Sequence, residues 1–341
     1  MTKRLSPIVA AVLILAMLAL GVACGQAAPA PSPTGQLPER FVFAMSGAGK
    51  SFNVAAFMSD LVTKYTTMKG SIERVTSPAQ ALTMIADGQA QSAIYSAPSI
   101  LGVDEAKRAT LRALFCGAGP EGSTVAAIQT TAKSGIKTVT DLKGKRVYAE
   151  NPALIFFGPM MDAILKTYGM TRTDFKWQIF SNADDAFRDL KEGRVDAMFY
   201  VIGTGSQDLA ESPGGLFAVP LSQEAMKAVE ATGLGYVPDI WPKGTFGNTV
   251  DTPTVSSPNV VWSSPKMTDD VAYAFTKVIF EHIVDLQKSQ KAGEGYDKKY
   301  ALASWVRPYH PGAIKYLKEA GIWKAENDKP QADLLAKFPT K

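Results

Sequence analysis

A short apolar strand, a loop of small residues and the start of a helix follow one another in Phe41–Phe57. Within this segment, the spacing Ala44-x4-Gly49-Lys50-Ser51 is close to that of a phosphate-binding loop. Such a unit directs several backbone N–H groups toward one point at a helix N-terminus, where the helix dipole favours negative charge. The segment therefore predicts an anion site, either for a nucleotide phosphate or for a ligand captured by a secreted binding protein.

The first 23 residues have the three-part form of an export signal. Lys3 and Arg4 give a basic start, an apolar run follows from Pro7 to Leu20, and small residues end the segment. Because the apolar run is short for a membrane span, we predict that residues 1–23 are removed after export. A permanent signal anchor is the alternative.

Cys24 follows this signal directly, in the sequence Ala23-Cys24-Gly25, which is similar to the acylation site of bacterial lipoproteins. Such sites have a Leu-like residue three positions before the Cys, whereas Leu20 stands one position further back. We predict lipidation of Cys24 and hence a membrane anchor, with simple cleavage and release as the alternative. The segment 24–39 is rich in Ala and Pro, which predicts an extended, flexible tether.

Residue counts argue against several other classes of protein. Removing Lys3 and Arg4 from the 36 basic residues leaves 34 against 32 acidic ones, and the basic residues are scattered, so no nucleic-acid partner is expected. The two histidines, His282 and His310, are too few for a convincing metal cluster, and no G-x-S-x-G sequence is present. We therefore predict no metal, no cofactor and no enzymatic activity. Cys116 lies in an apolar run and is predicted to be a small buried hydrophobe.

From Phe41 onward, apolar runs alternate with amphipathic segments, which favours a mostly parallel sheet covered by helices on both faces. Residues 78–88 and 183–193 each predict a helix that ends in Gly, and each is followed by a predicted strand, at 91–97 and 195–201. This shared pattern predicts two similar α/β lobes.

A third part of the chain begins near Thr254. It contains a strand-like segment, a long helix predicted over 269–288, and a helix that follows Pro311 and ends at Gly321. If the chain returns here to the first lobe, the two lobes form a clamshell with two crossovers.

In its motifs the chain resembles the TAXI family of substrate-binding proteins, the periplasmic receptors of a branch of TRAP transporters. The segments that carry this resemblance occur in family order from about residue 40 to residue 323, and they are specific only as a set. They are SGAGKSFNVAAF, RVTSPAQALTMIADGQAQSAIYSA, SGIKTVTDLKGKRV, FSNADDAFRDLKEGRVDAMFYVIGTG, YVPDIWPKGTFGNTVDTPTV and HPGAIKYLKEAG.

The resemblance implies a type II periplasmic-binding-protein fold, in which two α/β lobes are joined by a hinge and enclose a cleft. Lobe I would comprise 40–128 and 254–325, lobe II 129–253, and 326–341 would be a C-terminal tail. The protein would be an extracytoplasmic monomer that captures a small organic anion, such as glutamate or a related carboxylate. It would deliver this ligand to the subunits of a TRAP-type membrane permease.

The resemblance also assigns a ligand-binding loop to the first lobe. Where the family has a sequence similar to S-G-G-G-T-Y-Y, this chain has Ser46, Gly47, Ala48, Gly49, Lys50, Ser51 and Phe52. Glycines allow the backbone to approach a ligand closely, and Lys50 would add a positive charge beside the helix N-terminus. A solvated surface position for Lys50 is the alternative.

Two further candidate positions lie in the same lobe. Ser77 stands at a turn before a predicted helix, where capping of that helix is the alternative role. Tyr95 and Ser96 end the third predicted strand, and ligands of open α/β sheets gather beyond the carboxyl ends of strands.

The second lobe departs from the family pattern, which has a loop similar to Gly-Ser-Gly-Thr after the strand RVYAE. This chain has Asn151, Pro152, Ala153 and Leu154 there, so that larger side chains without hydroxyl groups replace the small hydroxyl-bearing ones. We expect a helix to begin at this loop with Asn151 as its cap, and we expect a ligand with a larger apolar part.

Two residues near the end of the strand 195–201 complete the predicted site. Tyr200 and Thr204 are expected to face the cleft, and ordinary packing is the alternative for Tyr200.

Three functions remain open on the sequence alone. The leading one is capture of an organic anion for a TRAP permease. The second is the same fold serving an ABC importer or a sensor. A P-loop NTPase is the third, and it is disfavoured because the chain carries an export signal and no apolar strand ends in a suitably placed Asp.

Overall fold

The computed structural model describes residues 35–47, 49–152 and 154–339. The predicted export signal, Cys24 and most of the tether lie outside the described residues, as do Ala48 and Ala153. Residues from Gly35 onward form one compact unit.

The first part of the chain alternates strands and helices, as the sequence predicts. Its elements are β1 (Arg40–Ser46), α1 (Lys50–Tyr65), β2 (Lys69–Val75), α2 (Pro78–Ala86), β3 (Ser92–Ser96), a 3₁₀ helix (Ala97–Gly102), α3 (Glu105–Thr110), β4 (Arg112–Gly117), α4 (Gly119–Gly122) and β5 (Ser123–Thr130).

The middle part continues the alternation with shorter strands. Its elements are a 3₁₀ helix (Val139–Leu142), β6 (Arg146–Glu150), α5 (Phe157–Thr167), a 3₁₀ helix (Arg172–Asp174), β7 (Lys176–Ile179), α6 (Ala183–Lys191), β8 (Ala197–Val201), α7 (Thr204–Ala210), β9 (Phe217–Val219), α8 (Gln223–Glu230) and β10 (Val237–Trp241).

The last part begins with the longest strand and is otherwise helical. Its elements are β11 (Thr252–Ser263), α9 (Asp269–Glu281), α10 (Ile283–Ser289), 3₁₀ helices (Lys291–Gly295, Lys298–Tyr300 and Ala325–Asn327), α11 (Pro311–Glu319) and α12 (Asp328–Lys337). The helix predicted over 269–288 is therefore interrupted at His282, whose ring stacks on that of Tyr65 with centroids 3.6 Å apart.

The strands form one continuous sheet in the order β2-β1-β3-β11-β5-β8-β6-β7, to which β4 and β10 add at β11 and β9 adds at β5. The expectation of a mostly parallel sheet is wrong. In the described residues β1 pairs in parallel with β2 and β3, and β6 with β7 and β8. However, β11 runs antiparallel to β3, β4, β5 and β10, and β5 runs antiparallel to β8 and β9.

The apolar side chains pack into two large clusters on either side of β11. One cluster draws on residues 41–116 and 260–323, and the other on residues 126–255. In the first, Phe275 of α9 stacks on Phe41 of β1 with ring centroids 4.6 Å apart. Burial of such aromatic side chains fixes the helices against the sheet and thereby sets the positions of the strand ends. The lobe boundaries given by the resemblance stay a prediction.

Candidate functional site

A cleft with a volume of about 500 Å³ lies where several strands end. Residues of both large packing clusters line it, so its walls come from different parts of the fold. The lining residues are Met45, Ser46, Gly49, Lys50, Ser51, Phe52, Tyr95, Pro120, Ser123, Thr124, Val125, Ala183, Asp184, Phe187, Tyr200, Val201, Ile202, Gly203, Thr204, Gly205, Phe246 and Asn259. We call Ser46, Gly49, Lys50, Ser51 and Phe52 with Tyr95 the loop wall, and Phe187, Tyr200 and Phe246 with Asp184 the aromatic wall.

The N-terminus of α1 is the main polar feature of the loop wall. Its N-cap is Gly49, whose φ of 136° is unfavourable for residues that carry a side chain. Within the described residues, no side chain caps the helix. The first intrahelical bond runs from the N–H of Asn53 to the carbonyl of Gly49 at 3.0 Å. The N–H groups of Lys50, Ser51 and Phe52 therefore have no acceptor inside the helix and can bind an anion.

Lys50 supplies the positive charge of the loop wall. Its Nζ lies 2.8 Å from Oε2 of Glu121, in a pair whose side chains are 40% and 17% exposed. The same Nζ lies 5.1 Å from the ring centroid of Phe246. The Lys50 side chain therefore links the loop wall to the aromatic wall, and its charge is partly balanced by a carboxylate that a ligand anion could replace.

Tyr95 fixes the end of β1 beside this helix start. The backbone N–H of Ser46 donates to the Tyr95 hydroxyl oxygen at 2.5 Å, and that hydroxyl donates to Oγ of Ser46 at 3.0 Å. Burial raises the pKa of Tyr95, while its hydrogen bonds with Ser46 act in the opposite direction. The phenol is therefore neutral at physiological pH and holds the loop by hydrogen bonding.

The aromatic wall is built around Tyr200. Its ring packs against Phe157, Phe180 and Phe187, with centroids 5.7, 5.2 and 6.3 Å away. Burial raises the pKa of Tyr200, and the negative charge of Asp184 raises it further. This wall therefore offers flat apolar surface with a neutral hydroxyl, which suits the body of a ligand rather than its charged group.

Phe246 reaches the cleft from the loop between β10 and β11. It has φ of 46°, the only positive value at a non-glycine residue among the described positions. The loop is held by Trp241, whose Nε1 donates to the carbonyl of Thr245 at 2.9 Å, and by Asn248, whose Nδ2 donates to the carbonyl of Trp241 at 2.9 Å. A strained backbone that the surrounding bonds maintain is common at ligand sites.

Two polar side chains from the central strands complete the cleft. Oγ1 of Thr124 on β5 donates to Oδ1 of Asn259 on β11 at 3.0 Å, and Asn259 is buried. This bond orients the Asn259 amide group so that its nitrogen remains a donor for a ligand.

Half of the sequence-predicted positions line the cleft. These are Ser46, Gly49, Lys50, Ser51, Phe52, Tyr95, Tyr200 and Thr204. Gly47 is exposed next to this group, whereas Ser77 accepts from the N–H of Gln80 at 3.2 Å and caps α2, its alternative role. The Ser96 hydroxyl is buried 3.1 Å from that of Ser99 and does not line the cleft.

The loop after β6 does not have the arrangement expected from the sequence. Instead of starting a helix, Asn151 accepts at its carbonyl from the N–H of Leu154, and α5 begins only at Phe157, with no side-chain cap from Asn151. Phe156 and Phe157 are buried, and this burial draws the segment toward the core. Asn151, Pro152 and Leu154 are not among the residues that line the cleft.

Several lining residues are missing from the sequence prediction. Phe187 and Asp184 belong to a segment used only to support the resemblance, and Phe246 stands in the turn-like sequence Gly-Thr-Phe-Gly. Asn259 is a polar residue within an otherwise apolar strand, which is a signal that could have identified it. No sequence signal points to Thr124.

Other kinds of chemistry find little support in the described residues. No group of three or more His, Cys, Asp or Glu side chains is placed to hold a metal ion there. Cys116 is fully buried, which raises the pKa of its thiol to about 11, so it behaves as the inert hydrophobe that the sequence predicts. Within the same ranges, no helix has the length and apolar character needed to cross a membrane.

The family model of the NMT1-like family matches residues 44–321, which is most of the chain. The chain belongs to the NMT1-like family. The assignment to the TAXI family made from sequence motifs is therefore wrong. The motifs behind that assignment are individually weak, and one of them, DLKGKRV, is common among binding proteins.

Several solved structures have a similar fold at low sequence identity. PhnD1 from Prochlorococcus marinus, in complex with methylphosphonate, has a TM-score of 0.51 at 11% identity, covering 76% of this chain and 88% of its own. Rpa4515 from R. palustris, with adipate, has a TM-score of 0.51 at 15% identity, covering 86% and 97%. The periplasmic aliphatic sulphonate binding protein SsuA from Escherichia coli has a TM-score of 0.48 at 19% identity, covering 88% of each chain. The chain thus has the two-lobed α/β fold of type II periplasmic binding proteins, as predicted.

Proposed function

We propose that this protein is an extracytoplasmic solute-binding protein, not an enzyme, and that it holds a small organic anion in the cleft. The observation that carries this proposal is the uncapped N-terminus of α1 with Lys50 beside it. Three N–H groups and an ammonium group at one wall form a site for a carboxylate or a related oxyanion.

The opposite wall supports an anion that carries an apolar body. Phe187, Tyr200 and Phe246 present aromatic surface to the same cavity. Asp184 also lines this side, so a second negative charge directed there would be repelled. The ligand that fits both walls has its charge at Lys50 and a body of a few carbon atoms extending toward Tyr200.

The ligands of two structures with the same fold are consistent with this ligand class. Rpa4515 was solved with adipate and PhnD1 with methylphosphonate, which are both small organic anions. Because these proteins share only the fold with this chain, they support the class of ligand and leave its identity open.

For the partner, we propose the permease of an ABC-type importer. The TRAP permease was implied only by the resemblance to the TAXI family. Because the chain belongs to the NMT1-like family instead, that argument for a TRAP permease no longer holds. Delivery of the ligand to a membrane sensor protein is the second possible function of the same fold. Export, lipidation of Cys24 and the monomeric state remain part of the proposal.

A thermal-shift screen of the mature chain tests the ligand class. Carboxylates, phosphonates and sulfonates with two to eight carbon atoms are compared with neutral sugars, with amines and with ATP. A true ligand present at about a hundred times its Kd stabilises the folded state by roughly 2.7 kcal/mol. We expect such a shift with one or more of the acids. A screen in which only sugars, amines or ATP raise the melting temperature contradicts the proposal.

A further inference from the structure

A second cavity, of about 360 Å³, lies apart from the cleft and shares no lining residue with it. Its walls come from the 3₁₀ helix Ala97–Gly102, from α3, and from the segments that precede β10 and α11. The end of α12 closes it, with Lys337 and Phe338. We call it the basic pocket because, among the described residues that line it, Arg108, Arg307 and Lys337 are basic and Glu105 alone is acidic.

Arg307 is the most buried of these charged groups, at 8% exposure. Its Nε donates to the carbonyl of Arg108 at 2.9 Å and its Nη1 to that of Val306 at 2.6 Å, while its guanidinium lies 3.9 Å from the ring centroid of Phe338. Burial, reinforced by the positive charges of Arg108 and Arg112, lowers the pKa of Arg307 to about 10. The positive charge of Arg307 is therefore not fully balanced by nearby negative charge.

Arg112 adds a third guanidinium next to the pocket and is 2% exposed. Its Nη1 donates to the carbonyls of Ala109 and Leu111, both at 3.0 Å, and its Nη2 donates to that of Phe338 at 2.9 Å. These acceptors stand at the C-terminal ends of α3 and α12, where helix carbonyls favour a cation. Capping of helix ends thus accounts for the hydrogen bonds of Arg112 and for the bond from Arg307 to the carbonyl of Arg108.

Capping does not account for Arg108 and Lys337. Among the described residues, the guanidinium of Arg108 has neither a carboxylate nor a hydrogen-bond acceptor, and none of the three arginines takes part in a salt bridge. The ammonium group of Lys337 is exposed, and among the described residues its one contact is with the ring of Phe338, 5.3 Å from the centroid. Arg108 is half-buried, and a cation in that position normally has an anionic partner, for which the cavity provides space.

The remaining walls of the pocket are apolar, with Ile100, Leu101, Leu234 and Val306 among them. A cavity of this size with apolar walls and a few convergent charged groups has the character of a small-molecule site. We propose that the basic pocket is a second ligand site, which binds a small organic anion with a phosphate or carboxylate group. The anionic group contacts Arg108, Arg307 and Lys337, and the apolar part packs against Leu101 and Leu234.

Calorimetric titration with phenyl phosphate tests this site, because the probe joins an oxyanion to a flat apolar body. The titration uses the full mature chain carrying Lys50→Ala, which weakens anion binding in the cleft. We expect this chain to bind phenyl phosphate at one site. Adding Arg108→Gln and Lys337→Gln should weaken that binding by about tenfold or more, since two charge-assisted contacts are lost. Neither change removes a hydrogen bond of the fold, because Arg307 binds the backbone carbonyl of Arg108.

The matched control adds Lys191→Gln and Lys288→Gln instead, which removes the same charge from exposed positions that line neither cavity. At physiological ionic strength these distant charges are screened, so affinity should stay within about twofold. An equal loss of affinity in the two triple variants would overturn the proposal. So would a wild-type chain that binds phenyl phosphate and loses that binding entirely with Lys50→Ala.

Discussion

The two walls of the cleft offer a ligand different kinds of contact. The loop wall presents backbone N–H groups at the start of α1 and the ammonium group of Lys50. The aromatic wall presents the rings of Phe187, Tyr200 and Phe246, together with one carboxylate, that of Asp184. A division of this kind lets one wall fix the charged group of a ligand while the other selects the size and shape of its body.

The walls also differ in how they are held. The loop wall rests on hydrogen bonding around a helix start, namely a glycine N-cap and the bond from the N–H of Ser46 to the hydroxyl of Tyr95 on the neighbouring strand. The aromatic wall rests on the packing of rings, since Tyr200 contacts Phe157 and Phe180, and Phe246 is contributed by the loop between β10 and β11. Affinity for the anion should therefore depend on single residues, and selectivity for the body should depend on several residues together.

The largest effect is expected from Lys50→Ala. Hydrogen bonds to charged groups are worth about 1.5–3 kcal/mol, so anion affinity should fall by roughly tenfold to a hundredfold. Stability should change by no more than about 1 kcal/mol, because the pair with Glu121 is half exposed. Calorimetric titration with the best acid of the screen gives the first value, and urea unfolding gives the second. Undiminished affinity in this variant would remove Lys50 from the site.

A loss of about tenfold in affinity is expected from Gly49→Ala, because φ of 136° is unfavourable for Ala and the helix start must shift to relieve it. Gly135→Ala is the matched control. Gly135 has φ of 78° and open space for a Cβ, as does Gly49, but it does not line the cleft. Both variants should lose stability, and only Gly49→Ala should lose affinity. Equal affinities in the two variants would show that the N–H groups of α1 do not bind the ligand.

A smaller effect is expected from Phe246→Ala, at about threefold to tenfold for ligands with an apolar body, in line with the energy of an aromatic contact. Acids with two carbon atoms should bind almost as well as before, since they do not reach the aromatic wall. Titration of a series of acids of increasing length measures this dependence. A uniform loss across the series would instead indicate that Phe246 acts by holding Lys50, which its ring contacts.

An effect of opposite sign is expected from Glu121→Gln. This substitution removes the carboxylate whose Oε2 lies 2.8 Å from Nζ of Lys50. The ammonium group of Lys50 then interacts with the ligand without competition from Glu121. Affinity should rise by about twofold to threefold, within the range of an exposed ion pair. Titration at two salt concentrations should also show a steeper dependence on ionic strength. A decrease in affinity would mean that Glu121 positions Lys50 rather than competing with the ligand.

The strand, loop and helix start that form the loop wall could be predicted from the sequence, as could some other helix ends, because their signals are local. Asn182, for example, stands directly before the helix predicted over 183–193 and caps α6, since its Oδ1 accepts from the N–H of Asp185. The cap position of Gly49 and the strand before it follow from residue types within ten positions. Such short-range rules are reliable when the packing of distant segments does not oppose them.

Tyr200 of the aromatic wall was expected at the cleft, but the other rings of that wall and the strand directions could not be predicted, because they depend on how separate segments pack. Burial of Phe156 and Phe157 shifts the start of α5 and moves Asn151 away from the cleft. The antiparallel path of β11 joins strands that lie more than a hundred residues away in the sequence. Phe246 occupies a φ of 46° that only its surrounding bonds explain. A pattern confined to one segment contains none of this information.

The claim that the cleft recognises a negative charge at the start of α1 is tested most directly by a matched pair of ligands. The pair consists of the acid that gives the largest shift in the screen and its primary amide, which has nearly the same shape and no charge. Calorimetric titration of the wild-type chain should give an affinity for the amide at least about tenfold weaker than that for the acid, as expected for loss of a charge-assisted contact. Equal affinities, or tighter binding of the amide, would contradict the account.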